Sequence, residues 1–304
     1  MKTPITQSKA WQKLQDALGE KSFYEEKEDY KFLTILKTTP LGKYLYLPYG
    51  PVFENHKGFN KAIGALKNLA KKENAIFIRI EPTDPNIQKS LPKNTKKSTD
   101  LNPKETWILD LSGSDEELKK KMPSRLLRYY KNAEKNGLKI ETTNNSKDIK
   151  YLTNLQKSLA AKKGINIFSE NYLKTELEQP FATLYLLKQQ NEVLAAGLVF
   201  DDKETRYNLQ GAQSDEGRKL HATGILTIQL IKDAKEKGLK NFDFWGIAPE
   251  DAPKNHPWAG FTSFKKTFSG EEKDYAGTYD IILEPLKYKA YEITRKLNRL
   301  RRRI

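Results

Sequence analysis

The stretch IKDAKEKGLKNFDFWG, residues 231–246, repeats in pattern and length a stretch from the first third of the chain, KNLAKKENAIFIRIEP, residues 67–82. Each runs from the second half of an amphipathic helix into a short apolar run of the kind that forms a buried strand. Gly238 closes the later helix, as glycine does where the chain must leave a helix in a left-handed turn. Outward from there, the helix reaches back to Thr223 and offers Ile225, Ile228, Leu230, Ile231 and Ala234 to an inner side. Two strand-like runs precede it, VLAAGLVF (193–200) and TRYNLQGA (205–212). The earlier helix runs from Phe59 to Lys72, with Phe59, Ile63, Leu66, Leu69 and Ala70 at helical period. Before it stand YKFLTILKT (30–38) and KYLYLPYGPV (43–52), parted by a turn at Pro40, Leu41 and Gly42. Strand, strand, helix, strand therefore occurs twice, and the spacing predicts an internal duplication of one α/β unit.

The flanks fill in the organisation. Ser8 is placed to cap a short helix carrying Trp11, Leu14 and Leu18 and ended by Gly19. Ser114 followed by Glu117 is a capping-box pair, and Pro123 inside the same basic stretch predicts a break with a second helix start. SKDIKYLTNLQKSLAAKKG (146–164) and NYLKTELEQ (171–179) read as helices, and YKAYEITRKLNRLRRR (288–303) as a basic amphipathic one. The polar, turn-rich TTNNS (142–146) marks the expected boundary. Residues 1–145 with 281–304 then form the first domain and 146–280 the second.

The 304 residues are 37% hydrophobic and 11% aromatic, enough to bury a core despite 31% charged residues. The longest apolar run, Val193 to Phe200, is far too short to cross a bilayer, and the start MKTPITQ has no signal-peptide apolar region. A cytoplasmic location is expected, with a peripheral station on the inner face of the membrane as its variant. Zero Cys and three His (His56, His221, His256), none at HxxxH spacing, leave no expected metal site. The formal charge of +15 favours a polyanionic partner, whether RNA, nucleotide phosphates or anionic lipid. Eight basic residues stand against the single acid Glu134 between Lys119 and Lys139, and eight against Glu292 between Leu286 and Ile304. A solvated helix face is the bland reading of either run.

Several familiar sites are missing. The chain has no GxxxxGK[ST] phosphate loop, no GxGxxG, no GxSxG elbow and no kinase motif set. The tandem order matches the acetyltransferase-like (GNAT) fold, whose usual members bind coenzyme A through a Gly-rich loop entering the main helix. At that place stand DEGRKLHATG (215–224) and PVFENHKGFN (51–60), neither of which supplies a run of glycine amides for a pyrophosphate. The fold expected is mixed α/β (α+β), two tandem GNAT domains, without coenzyme A as donor.

YLPYGPV (46–52), IRIEP (78–82), SRLLRYYKNAEKNGLKI (124–140), FDFWGIAPEDAPKNHPWAGFTSFKKTFSGE (242–271) and YAGTYDIIL (275–283) together give a more specific resemblance. They resemble the FemABX family of non-ribosomal aminoacyltransferases, which build peptidoglycan cross-bridges from aminoacyl-tRNA. The resemblance spans nearly the whole chain, and FKKTFSG followed by YAGTYD carries most of its specificity. It implies two GNAT-like domains with the C-terminal segment returning to the first. The coiled-coil arm of larger members is absent, because Ser146 to Pro180 is too short for it.

The implied reaction is attack by a primary amine on the stem peptide of a peptidoglycan precursor on the ester carbonyl of an aminoacyl-tRNA. Such an ester is already activated, so the protein must position the pair, help remove a proton and stabilise the oxyanion. Aminoacyl-tRNA is a co-substrate and no cofactor is required; DNA is not an expected partner. By resemblance Lys265, after Phe264, lies at the reaction centre and contacts the RNA end, with Phe264 stacking on a base or shaping the pocket. Glu81 matches an Asp or Glu position considered for proton transfer, and equally reads as a strand-end carboxylate paired to Arg79 or a lysine. Lys13 falls where a relative uses lysine on substrate phosphates, and Tyr172 matches a substrate-contacting tyrosine. Tyr207, on TRYNLQGA, joins that substrate-binding set. The arginine expected shortly before Tyr172 is here Phe168, which leaves a UDP-linked and a lipid-linked precursor both open. Arg125, Arg128 and Lys131 in the first basic stretch, and Arg299, Arg301 and Arg302 in the second, are the candidates for RNA or anionic-membrane contact. Two other readings stand beside this one: the same fold with another acyl donor, or a basic RNA- or membrane-binding platform without catalysis.

Overall fold

The computed structural model describes residues 3–164, 166–253, 256 and 258–301. From the N-terminus the chain forms α1 (Lys9–Ala17), β1 (Ser22–Glu26), β2 (Tyr30–Thr39), β3 (Gly42–Leu47), β4 (Val52–Phe53), α2 (His56–Glu73), β5 (Ala75–Ile80) and β6 (Thr95–Lys97). There follow β7 (Glu105–Asp110), α3 (Asp115–Lys120), α4 (Ser124–Lys131), β8 (Leu138–Thr143), α5 (Ile149–Lys163) and α6 (Glu170–Leu177). The last third holds β9 (Ala182–Gln189), β10 (Glu192–Asp201), β11 (Thr205–Gln213), α7 (Asp215–Lys219), α8 (Ala222–Glu236), β12 (Asn241–Gly246), α9 (Ala259–Lys266), β13 (Glu271–Asp274), β14 (Tyr279–Ile282) and α10 (Pro285–Arg301).

Two compact units result, residues 1–104 with 274–304 and residues 105–273. The first holds a sheet in the order β1-β2-β3-β5-β14-β6, with β4 paired to β2, and the second a sheet β13-β7-β12-β11-β10-β9-β8. In each sheet two antiparallel strands lead through a helix to a strand that pairs in parallel. These are β2, β3, α2, β5 in one copy and β10, β11, α8, β12 in the other. The duplicated order read from the sequence is thus the order of the fold, which is the tandem acetyltransferase-like one. The boundary expected at 145 falls instead at Lys104, since β7 pairs with β12 and β8 with β9, both in the second sheet. Similarly β14, split by the expected boundary at 280, lies wholly in the first unit between β5 and β6.

Each sheet carries its own core. Helix α2 starts at Asn55, whose side chain accepts from the Lys57 and Gly58 amides, and buries Phe59, Ile63, Leu66 and Ala70 against Phe32, Leu45 and Ile78. Helix α8 buries Ile225, Ile228, Leu230, Ile231 and Ala234 among Leu187, Val199, Phe242 and Phe244. Ser8 caps α1 by accepting from the Trp11 amide, and the Ser114–Glu117 capping box is closed in both directions. Pro123 separates α3 from α4 and stands immediately before the latter. Among the described residues no helix is long and apolar enough to cross a membrane.

Candidate functional site

In the second unit the sheet brings three groups together near the C-terminal end of β12. Tyr207 on β11 lies in register beside Asp243 on β12, and its ring meets Trp245 edge-on at 6.2 Å. Asp243 is buried and accepts from the Trp245 amide at 2.7 Å, while Trp245 itself takes a left-handed backbone with φ 65°. Helix α9 then delivers Lys265, whose Nζ donates to the Gly246 carbonyl oxygen at 2.6 Å. Burial pulls the Lys265 ammonium down to about 8 and Asp243 opposes the shift, so the charge sits poorly solvated at a strand end. The Tyr207 hydroxyl donates to Asp202 at 2.9 Å.

Phe264 is partly buried and packs against the core of the second unit, 5.6 Å from Phe268. The exposed rings at this helix are Trp258 and Phe261, at 40% and 43% exposure. They were legible only as aromatics in HPWAGF, because exposure on a short helix is decided by packing rather than composition. The buried Asp243 beside Lys265 was missed for a similar reason, being an acid within an otherwise apolar strand.

Tyr172 lies on α6, its ring stacked on Phe168 at 4.7 Å. One turn on, Glu176 is 2% exposed; burial raises its carboxyl to about 8, and a hydrogen bond with Tyr172 opposes the rise. Helix α4 carries Arg125, Arg128 and Lys131 and has no buried residue. Arg125 donates to the Tyr129 hydroxyl at 2.8 Å, both arginines lie over the Tyr129 ring, and that ring stacks on His221 at 4.4 Å. His221 precedes the first turn of α8, where Gly224 gives Leu126 of α4 room for its closest approach. Arg125, Arg128 and Lys131 have no carboxylate partner among the described residues.

The first unit holds Glu81 and Lys13. Both Glu81 oxygens are engaged: Oε1 accepts from Thr278 Oγ1 at 2.9 Å and from the Leu101 and Asn102 amides at 3.2 and 3.3 Å. Oε2 accepts from the Tyr46 hydroxyl at 2.9 Å and Asn102 Nδ2 at 2.7 Å. A small pocket beside it is lined by Tyr49, Asn102, Lys104 and Tyr275. The expected pairing of Glu81 with Arg79 does not form, since Arg79 is turned to Asp280 by two 2.7 Å hydrogen bonds. Lys13 is exposed on α1. Side chains of Arg299 and Arg301, and Arg302 altogether, lie outside the described residues. Among the described residues no three His, Asp or Glu side chains gather to hold a metal ion.

The fold places the chain in the tandem acetyltransferase-like class. The structure is similar to that of FemX, with TM-score 0.81 at 18% identity over 94% of each chain. It also resembles L-PGS from Bacillus licheniformis, with TM-score 0.61 at 14% identity over 93% of this chain and 94% of that one. A tandem GNAT protein from the clavulanic acid biosynthesis pathway aligns with TM-score 0.53 at 13% identity, covering 83% of this chain and 78% of that one. No curated protein sequence matches the chain. The FemAB family model matches residues 2–100 and 175–296, and the chain belongs to the FemAB family. In its general class it is an aminoacyltransferase related to peptidoglycan synthesis.

Proposed function

We propose that the protein transfers an amino acid from aminoacyl-tRNA to the stem-peptide amine of a peptidoglycan precursor. The observation that carries this reading is Lys265: a half-buried ammonium anchored on the Gly246 carbonyl, with Asp243 near enough to favour its charge and Tyr207 in register beside Asp243. The neutral amine attacks the ester carbonyl, forming the C–N bond and an oxyanion; collapse of the oxyanion breaks the ester C–O bond, and the proton shed by the amine nitrogen passes to the departing ribose oxygen, which leaves as the hydroxyl. A cation in a poorly solvated position stabilises that oxyanion, or the terminal phosphate of the RNA, far more than one in water. Glu81, with its lone pairs committed to five donors, is assigned to holding the 101–102 segment rather than to proton transfer. Arg125, Arg128 and Lys131, lacking acidic partners among the described residues, supply the surface for RNA phosphates. The stack of Tyr129 on His221 lies at the end of α8 where a coenzyme A pyrophosphate would have to meet free amides.

The test is to incubate purified protein with bacterial tRNA charged by a mixed amino-acid pool and either UDP-linked or lipid-linked muramyl pentapeptide, reading acceptor mass. A gain of one amino-acid residue is expected on one acceptor; folded protein that leaves both unchanged overturns the reading. The role of Lys265 has its own signature. With its folded pKa at about 8, the cation is present below that pH and lost above it, so kcat/KM acquires a descending limb there. Lys265→Arg moves this limb beyond the measurable range, and Lys265→Met lowers kcat by about 10²–10³-fold. Undiminished transfer by the folded Met variant would remove Lys265 from the mechanism.

A further inference from the structure

Helix α10 is docked on the first unit by one side only. Tyr288 is buried and donates to Asp280 Oδ2 at 2.9 Å, Arg295 donates to Ser98 Oγ at 3.2 Å, and Glu292 receives Lys96 at 2.6 Å. The opposite side carries Leu286, Ile293 and Leu297, exposed at 86%, 51% and 51%, with exposed Ala290 between them. Positions 286, 290, 293 and 297 alternate steps of four and three, which sets them in one stripe along a helix. Lys287 borders the stripe on one side and Lys289 and Lys296 on the other; all three are exposed and make no ion pair among the described residues.

A three-four apolar stripe is also the seam of a coiled coil, so a second copy of the chain is the obvious rival occupant. The bordering lysines argue against it. Self-pairing brings like charges together at the positions flanking the seam, where stable pairs place opposite ones. RNA would match the lysines and leave the leucines in water. Apolar residues bordered by lysines on a helix whose far side is fastened down match a bilayer surface with acidic headgroups.

We propose that the outer face of α10, from Leu286 to Leu297, is a membrane-docking surface that lies in the headgroup layer of an anionic bilayer. Its apolar stripe enters the acyl boundary and its lysines meet lipid phosphates, which holds the rest of the chain at the surface. This stands independently of the transfer reaction proposed above.

The experiment is co-sedimentation of the full chain with vesicles of phosphatidylcholine, with and without a phosphatidylglycerol fraction. Two combined variants are compared with the wild type, Leu286→Ser/Ile293→Ser/Leu297→Ser and Lys287→Gln/Lys289→Gln/Lys296→Gln. Wild-type protein is expected to partition onto the anionic vesicles only, and each variant to lose at least about tenfold of that partitioning. Should the apolar variant fail to fold, Leu286→Trp in the otherwise wild-type chain replaces it, with a blue-shifted emission expected on adding the anionic vesicles. The proposal is overturned by wild-type protein that stays in solution, by an apolar variant that binds as well as wild type, or by an unshifted tryptophan. It is equally overturned by a wild-type dimer that the apolar variant dissociates, or by lysine changes that abolish tRNA binding while sparing vesicle binding.

Discussion

A carboxyl group at 2% exposure with one oxygen, Oε2, left without a hydrogen-bond partner is costly to ionise, and Glu176 is such a group. Its folded pKa of about 8 means that the native state keeps a proton which the unfolded chain releases near the ordinary value. Between those two pH values the native state binds more protons, so stability falls as pH rises from the ordinary carboxylate range to about 8. Glu176→Gln removes the titration and keeps the shape. It is expected to leave stability at pH 5 nearly unchanged and to raise it at pH 8 by a few kcal/mol, on the order of 2–4. Urea unfolding at the two pH values checks this, and a variant whose pH dependence matches the wild type would refute it. Glu81 is the contrasting acid: its burial is matched by donors on both oxygens, so it serves as a hydrogen-bonding hub.

Among elements, the return of the chain through β14 and α10 is fixed by one buried ion pair. Arg79 on β5 meets Asp280 on β14 with both partners essentially unexposed, Tyr288 of α10 donates to the same carboxylate, and Tyr44 and Phe77 flank the guanidinium at 5.4 and 5.2 Å. Burial disfavours the guanidinium's charge while Asp280 favours it, and the balance holds Arg79 charged. Replacing Asp280 by Asn therefore leaves a buried cation half-matched and is expected to cost about 3–5 kcal/mol. Tyr288→Phe, which removes one hydrogen bond to a charge, is expected to cost about 1.5–3 kcal/mol. Denaturant midpoints of the two variants order these effects, and an Asp280 variant as stable as wild type would show that the pair is not what secures the return.

At the scale of the whole molecule the charge of +15 is not spread evenly in consequence. Many lysines are spent on local acids, as in the Lys119–Glu116 and Lys121–Asp110 pairs. The arginines of α4 are instead gathered around Tyr129 and face no carboxylate among the described residues. Arg125→Gln with Arg128→Gln is expected to weaken tRNA binding at every sequence alike and to flatten its dependence on salt by about one to two units of slope. Filter binding across a salt series measures both. An unchanged slope would place the RNA elsewhere on the chain.

The sequence by itself determined the duplicated β-β-α-β unit, the caps at Ser8 and Ser114 and the break at Pro123, because each depends on residues a few positions apart whose period or spacing is local. It also set Lys265 among the candidates, through the resemblance carried by FKKTFSG and its neighbours. The boundaries were not legible there: β7 and β8 read as neighbours of the first copy along the chain, and only long-range pairing with β12 and β9 assigns them to the second sheet. Nor does composition say which of several aromatics or acids faces inward. Phe264 packed partly buried against the core, Glu81 enclosed by donors, Glu176 left short of them and Leu286 exposed on α10 are outcomes of packing. They follow from which surfaces the tertiary structure removes from water, a quantity that depends on all the elements at once.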